Sequence, residues 1–233
     1  VNATSQSLTM TAGHSIGMST DTIENFVETL TATTTDGGVF LTQGFGSGGQ
    51  LNITAGGVGN DVIVNNNTKD LKLGTITTNG GDVTIVSTNG SVLDDNGVGV
   101  NNITGNALSL TTKTGVATSG NPLDTTVSSL YVKTTNTGSN AYVANTGALT
   151  SISAETKGGA VGITFTGGSL TYSSNILNAV TGGAPLTFKN TGGTIKIGSI
   201  DAGAEAVSLD AFGNIEDSAV DSVTDIVAGT ATL

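Results

Sequence analysis

The chain has 233 residues and a formal net charge of −11, all seven of its basic residues are lysine, and it contains no cysteine and no tryptophan. Only 4% of it is aromatic while glycine fills 35 positions, so a thick core of large side chains is excluded, as are disulfides and thiolate metal sites. Nucleic acid and anionic membrane surfaces are disfavoured as partners, because both are held by cationic side chains.

Hydrophobic residues still make up 36% of the chain, enough to predict that it folds. They are mostly Val, Ile and Leu, spaced by Thr, Ser, Asn and Gly, so strand formers alternate with turn formers and helix is nearly excluded. Pro122 and Pro185 both fall in segments that read as turns. No apolar run approaches the roughly 18 residues needed to span a bilayer. The chain opens at Val1 without a signal peptide and is expected to be a mature fragment.

In chain order, short alternating segments occur at 8–11, 30–33, 39–41, 51–54, 62–64, 71–74, 83–85, 108–111, 130–133, 141–143, 149–152, 161–163, 170–172, 186–188 and 207–209. Those beginning with Leu form one set; those at 39–41, 62–64, 83–85, 141–143, 161–163 and 207–209 begin with Val or Ala after a Gly, Asn or Asp cluster. Strand side chains alternate faces, which points Leu8 and Met10 inward and Thr9 and Thr11 to water. So short a strand is not stable alone. Stacked in coils, each segment pairs its backbone with the next coil and contributes to a narrow core. The reading is an all-β fold, a parallel β-helix or β-solenoid, with about 20 residues per coil and no membrane insertion.

A longer repeat is superimposed. Leu8, Met10, Ile16, Val27, Leu30 and Thr34 recur in register as Leu108, Leu110, Val116, Val127, Leu130 and Thr134. One continuous solenoid over 1–233 is therefore expected to contain related units near 8–107 and 108–233. Residues 226–233 resemble 1–8, and neither end carries an obvious polar cap, so the segment is read as internal to a longer array. Its expected partners are neighbouring units of the same protein, through contacts that extend to end-to-end self-association.

Residues 120–130, Gly-Asn-Pro-Leu-Asp-Thr-Thr-Val-Ser-Ser-Leu, followed by 141–149, Ala-Tyr-Val-Ala-Asn-Thr-Gly-Ala-Leu, resemble the repeats of filamentous-haemagglutinin-type exoproteins and other giant bacterial adhesins. The resemblance implies a right-handed β-helix, secretion to the bacterial cell surface or beyond, and a role as a stiff filament or adhesin scaffold. It covers the chain as repeat texture. The family's secretion domain and receptor-binding modules have no counterpart in these residues, so no functional residue carries over.

Calcium is the one cofactor the residues raise. Residues 56–64, Gly-Gly-Val-Gly-Asn-Asp-Val-Ile-Val, fit the calcium-binding nonapeptide pattern, with Asp61 as the ligand. A single copy supplies only part of the oxygen cage, and a Gly-rich turn entering a strand is the preferred account. Asp94 with Asp95, and Asp217 beside Glu216, are further calcium candidates, to be joined by Asn96, Asp221 or Asp225; a solvated turn explains them too. His14 is the only histidine and reads as an exposed turn residue.

No catalytic residue is assigned. A polysaccharide-degrading β-helix would use a carboxylate pair as acid and base, but no pair is singled out, arginine is absent and aromatic platforms are few. The chain is read as non-enzymatic. The alternative within binding proteins is a glycan- or surface-binding module acting through the segments 16–26, 42–50 and 173–184, which interrupt the repeat spacing.

Overall fold

The computed structural model describes residues 7–44, 49–166, 177–219 and 221–233, and of the strand Leu177–Val180 the backbone alone. All described strands belong to two parallel sheets, one 12-stranded and one 11-stranded, and the chain passes from one to the other at each half coil. Successive coils lie about 22 residues apart, which is a β-solenoid. The expected spacing of about 20 is exceeded because some corners carry extra residues. Between Val116 and Ala141, which pair across adjacent coils, a small turn at Thr118 and Asn121 is inserted.

The period-two pattern sets each face. In Thr29–Thr34, Leu30, Ala32 and Thr34 are buried while the residues between them are partly exposed; in Val39–Gln43 the buried set is Val39, Leu41 and Gln43. Coils then stack like on like. Val39, Val62, Val83, Leu108, Leu130 and Ile152 form one unbroken column, and Leu41, Val64, Ile85, Leu110, Val132 and Ala154 form the next. In the opposite sheet Ala141, Val161, Leu186 and Val207 run beside Val143, Ile163, Phe188 and Leu209. Burying each Val, Leu or Ile contributes about 1.5–3 kcal/mol, which compensates for strands too short to persist alone.

Corners are closed by buried polar side chains at strand ends. The Thr78 hydroxyl donates to the carbonyl of Gly81 at 2.7 Å, and Thr34 and Thr156 do the same to Gly37 and Gly159. Asn66 and Asn190 donate their amides to Lys69 and Thr194 in the same way. These carbonyls turn inward at tight corners, where the Thr or Asn that ends the strand donates to them; that of Gly81 also accepts the N–H of Asn106 at 2.9 Å.

The segments beginning at Leu8 and at Leu108 have the same local structure on opposite sheets. Ser7–Ala12 pairs with Thr29–Thr34 in the larger sheet, Leu8 on Leu30; Ala107–Thr112 pairs with Ser129–Thr137 in the smaller one, Leu108 on Leu130. In each, a turn follows in which Met18 and Asp21, or Thr118 and Asn121, exchange two backbone hydrogen bonds. At about 22 residues per coil the two copies stand about four and a half coils apart, so the second faces the other way.

One predicted segment is displaced. Residues 149–152 were expected to form a short strand, but the strand is Ser151–Lys157, and Ile152 pairs with Leu130. Leu149 is buried in the corner before it. The predicted segment 170–172 lies outside the described residues.

Candidate functional site

The candidate calcium ligands occupy three separate places, and at each of them one carboxylate, that of Asp61, Asp94 or Asp217, accepts a backbone N–H. Asp61 stands just before Val62–Asn66, and its Oδ1 accepts the N–H of Asp82, the matching residue one coil on, at 2.8 Å. Asp82 accepts the N–H of Ala107 at 3.1 Å, Asp70 that of Ser91 at 2.7 Å, and Asn140 that of Ala160 at 2.8 Å. The nonapeptide pattern is thus a corner whose carboxylate ties one coil to the next, with Gly57 and Gly59 at positive φ.

Asp94 and Asp95 begin a loop that protrudes between Val92–Asp94 and Ile103–Thr104. Asp94 Oδ1 accepts the N–H of Asn96 at 2.9 Å and the amide of buried Asn102 at 2.8 Å, while its Oδ2 is enclosed without a partner among the described residues. Asn102 in turn accepts the N–H of Asp124 at 3.0 Å, and Asp124 Oδ2 accepts that of Gly99 at 2.8 Å. Burial pushes the Asp124 carboxyl above the ordinary carboxylate value; the Gly99 N–H opposes that rise and the charge of Asp94 adds to it. Asp95 points outward to Lys72, 3.6 Å away.

Asp217 Oδ1 accepts the N–H of Ala219 at 2.8 Å, and Asp221 Oδ1 that of Val223 at 2.7 Å. Asp225 is held above its ordinary value by desolvation first and then by the charges of Asp217 and Asp221, so these three acids do share one region. Among the described residues, no group of three or more His, Asp or Glu side chains is placed to hold a metal ion. His14 is exposed, with Nδ1 3.4 Å from the carbonyl oxygen of Asp36.

Charge is matched from coil to coil on the outer faces. Lys133 and Lys189 sit 2.9 and 2.5 Å from Glu155 and Asp210, their register partners one coil on, and Lys196 sits 3.7 Å from Glu216. Of the segments that interrupt the repeat spacing, 16–26 starts at buried Ile16, turns between Met18 and Asp21 and returns to the smaller sheet as the strand Ile23–Asn25, with Met18 and Phe26 more than half exposed. Parts of 42–50 and 173–184 lie outside the described residues.

Sequence reasoning missed a groove of about 340 Å³ on the outer face of the larger sheet. Ser119 and Pro122 wall it on one side and Pro185 and Thr187 on the other, with Tyr142 and Gly162 between. Tyr142, Gly162 and Thr187 are register partners on three successive coils. The Tyr142 ring lies against the bare backbone of Gly162, where an added Cβ would come 2.8 Å from its Cδ1. The signal was an outward aromatic facing an in-register glycine, which is readable only once the pairing is known.

No family model, curated protein or solved structure matches the chain. Among the described residues no helix is long and apolar enough to cross a membrane.

Proposed function

We propose that this chain is a structural repeat region of a secreted bacterial adhesin or cell-surface filament, acting as a stiff scaffold and carrying no catalysis. The observation that supports it is the pair of parallel ladders: columns such as Val39 to Ile152 place one apolar side chain per coil without a gap, a rod-building arrangement. Five carboxylates serve the stacking itself, as corner ties at Asp61, Asp70 and Asp82 and as coil-to-coil ion pairs at Glu155 and Asp210.

Its partners in this reading are further units of the same kind. Among the described residues, Ser7–Ala12 pairs only with Thr29–Thr34, and Thr230–Thr232 only with Ala206–Ala211. Among the described residues each has one edge free of strand pairing, which in this reading a neighbouring coil or a second copy extends. Cryo-electron microscopy of the native material tests the proposal: a continuous rod of coils stacked at about 4.8 Å supports it, and a short capped particle overturns it.

A further inference from the structure

We propose that the groove around Tyr142 and Gly162 binds an uncharged oligosaccharide lying along the rod. The inference is independent of the scaffold reading, since a rod stands with or without a ligand on its flank.

Three observations carry it. The first is the internal comparison offered by the repeated unit. Phe40 holds the place of Tyr142: the N–H of Phe40 donates to Ile16 at 2.8 Å, and that of Tyr142 donates to Val116 at 3.0 Å. On the next coil Phe40 faces Ile63, whereas Tyr142 faces Gly162. The same outward aromatic is thus followed by a side chain in the first unit and by a bare backbone in the second, onto which the Tyr142 ring lies down, and ring and glycine both line the groove.

The second observation is chemical. An aromatic ring with rigid proline walls and hydroxyls at Ser119 and Thr187 suits a pyranose, whose C–H face stacks on an aromatic ring while its edge exchanges hydrogen bonds with hydroxyls. The lining has no charged side chain, although the chain carries a net charge of −11. The nearby cation, Lys189, is paired with Asp210. An acidic sugar therefore finds no counter-charge, which selects a neutral one.

The third is shape. Pro122, Tyr142, Gly162 and Thr187 stand on four successive coils, a run of about 14 Å along the axis, and the coil spacing is close to the length of one sugar ring. A short linear chain of sugars in register with the coils fits better than a single ring.

The test titrates the whole chain with cellohexaose, with the hexamer of N-acetylglucosamine, and with polygalacturonate as the acidic comparison, by calorimetry and saturation-transfer NMR. At least one neutral hexamer is expected to bind with a Kd on the order of 1 mM or tighter. Tyr142→Ala and Gly162→Ile, the second copying the filled position of the first unit, each weaken it at least about tenfold, while Phe40→Ala leaves it unchanged. Circular dichroism melts accompany each variant; if Tyr142→Ala fails to fold, Gly162→Ile decides. Binding by polygalacturonate alone, no binding by either neutral hexamer, or undiminished binding in a folded Gly162→Ile chain overturns the proposal, and none of these outcomes touches the rod seen by microscopy.

Discussion

Gly17 and Ala117 occupy the same turn in the two copies of the repeated unit, both in the left-handed region, at φ of 73° and 50°. Ala117 is the one non-glycine residue at positive φ among those described. The left-handed conformation costs an L-residue about 1–2 kcal/mol, so Ala117→Gly is expected to stabilise the coil by about 0.5–1 kcal/mol once the added freedom of the unfolded chain is subtracted. Gly17→Ala is expected to do the opposite, because a Cβ there would lie 2.5 Å from the carbonyl oxygen of Phe40. Hydrogen exchange around each turn measures both; a loss of protection in Ala117→Gly would show that the turn is not strained.

The core columns predict a sharp contrast between neighbouring residues. Leu130 is 2% exposed and sits between Leu108 and Ile152, whereas Tyr131 is 36% exposed on the outer face. Leu130→Asp buries an unpaired charge and is expected to cost about 3–5 kcal/mol, while Tyr131→Asp stays within about 1 kcal/mol. Thermal melts of the two variants check this, and equal melting temperatures would show that the inward assignment is wrong.

This contrast was legible in the sequence, and its limits are instructive. Alternation of Leu or Val with Thr or Ser fixes which residues face inward, so Leu30, Val62, Leu108 and Leu130 were identifiable without coordinates. Alternation does not fix which coil residue stacks on which. Leu149 begins a Leu-led segment as Leu130 does, yet the partner of Leu130 is Ile152, three residues further along the chain. The exchange of sheets between Leu8 and Leu108 was hidden for the same reason: the repeat is visible in one dimension, and the half-coil rotation exists only in three. The groove was illegible because Tyr142 and Gly162, apart in sequence, meet only through register. The bond from the Asp82 N–H to Asp61 was not legible either, because a nonapeptide pattern and a corner tie call for the same Gly, Asn and Asp.

The corner hydrogen bonds predict a loss that a conservative change restores. Thr78 is 4% exposed and its hydroxyl donates to the carbonyl of Gly81. Thr78→Val keeps the shape and removes the hydroxyl donor, while the Gly81 carbonyl keeps the N–H of Asn106 at 2.9 Å; the expected cost is about 0.5–1.5 kcal/mol, and Thr78→Ser recovers most of it. Denaturant titration of the three chains decides; a Val variant as stable as the native chain would mean that the Asn106 N–H alone satisfies the carbonyl.

The raised pKa of Asp124 gives a pH dependence of stated sign. Its folded value lies above the ordinary one, chiefly through burial, so the fold disfavours its ionised form. The folded state then holds the proton more tightly than the unfolded one. This residue's contribution to stability rises as the pH falls through its folded pKa, and it is unfavourable at neutral pH. Asp124→Asn, which still offers an oxygen to the Gly99 N–H, is expected to be more stable than the native chain at pH 7. That advantage should shrink below the ordinary carboxylate value. Melts at pH 7 and pH 3 measure it, and an advantage that grows on acidification would reverse the assigned sign.

Calcium separates the two accounts of Asp61. As a corner tie, it accepts the N–H of Asp82 at 2.8 Å, a bond that needs no ion. Asp61→Ala is then expected to cost about 1–2 kcal/mol, equally in a chelator and in millimolar calcium, because what is lost is a charge-assisted hydrogen bond between two coils. Were Asp61 a calcium ligand, the native chain would be stabilised by the ion by an amount that grows with its concentration, and the variant would lose that increment. Melting the native and Asp61→Ala chains with and without calcium distinguishes these directly. Matching curves for the native chain, with a constant offset for the variant, identify the carboxylate as a tie between coils, whereas a calcium-dependent gap between the two chains would make Asp61 a metal ligand after all.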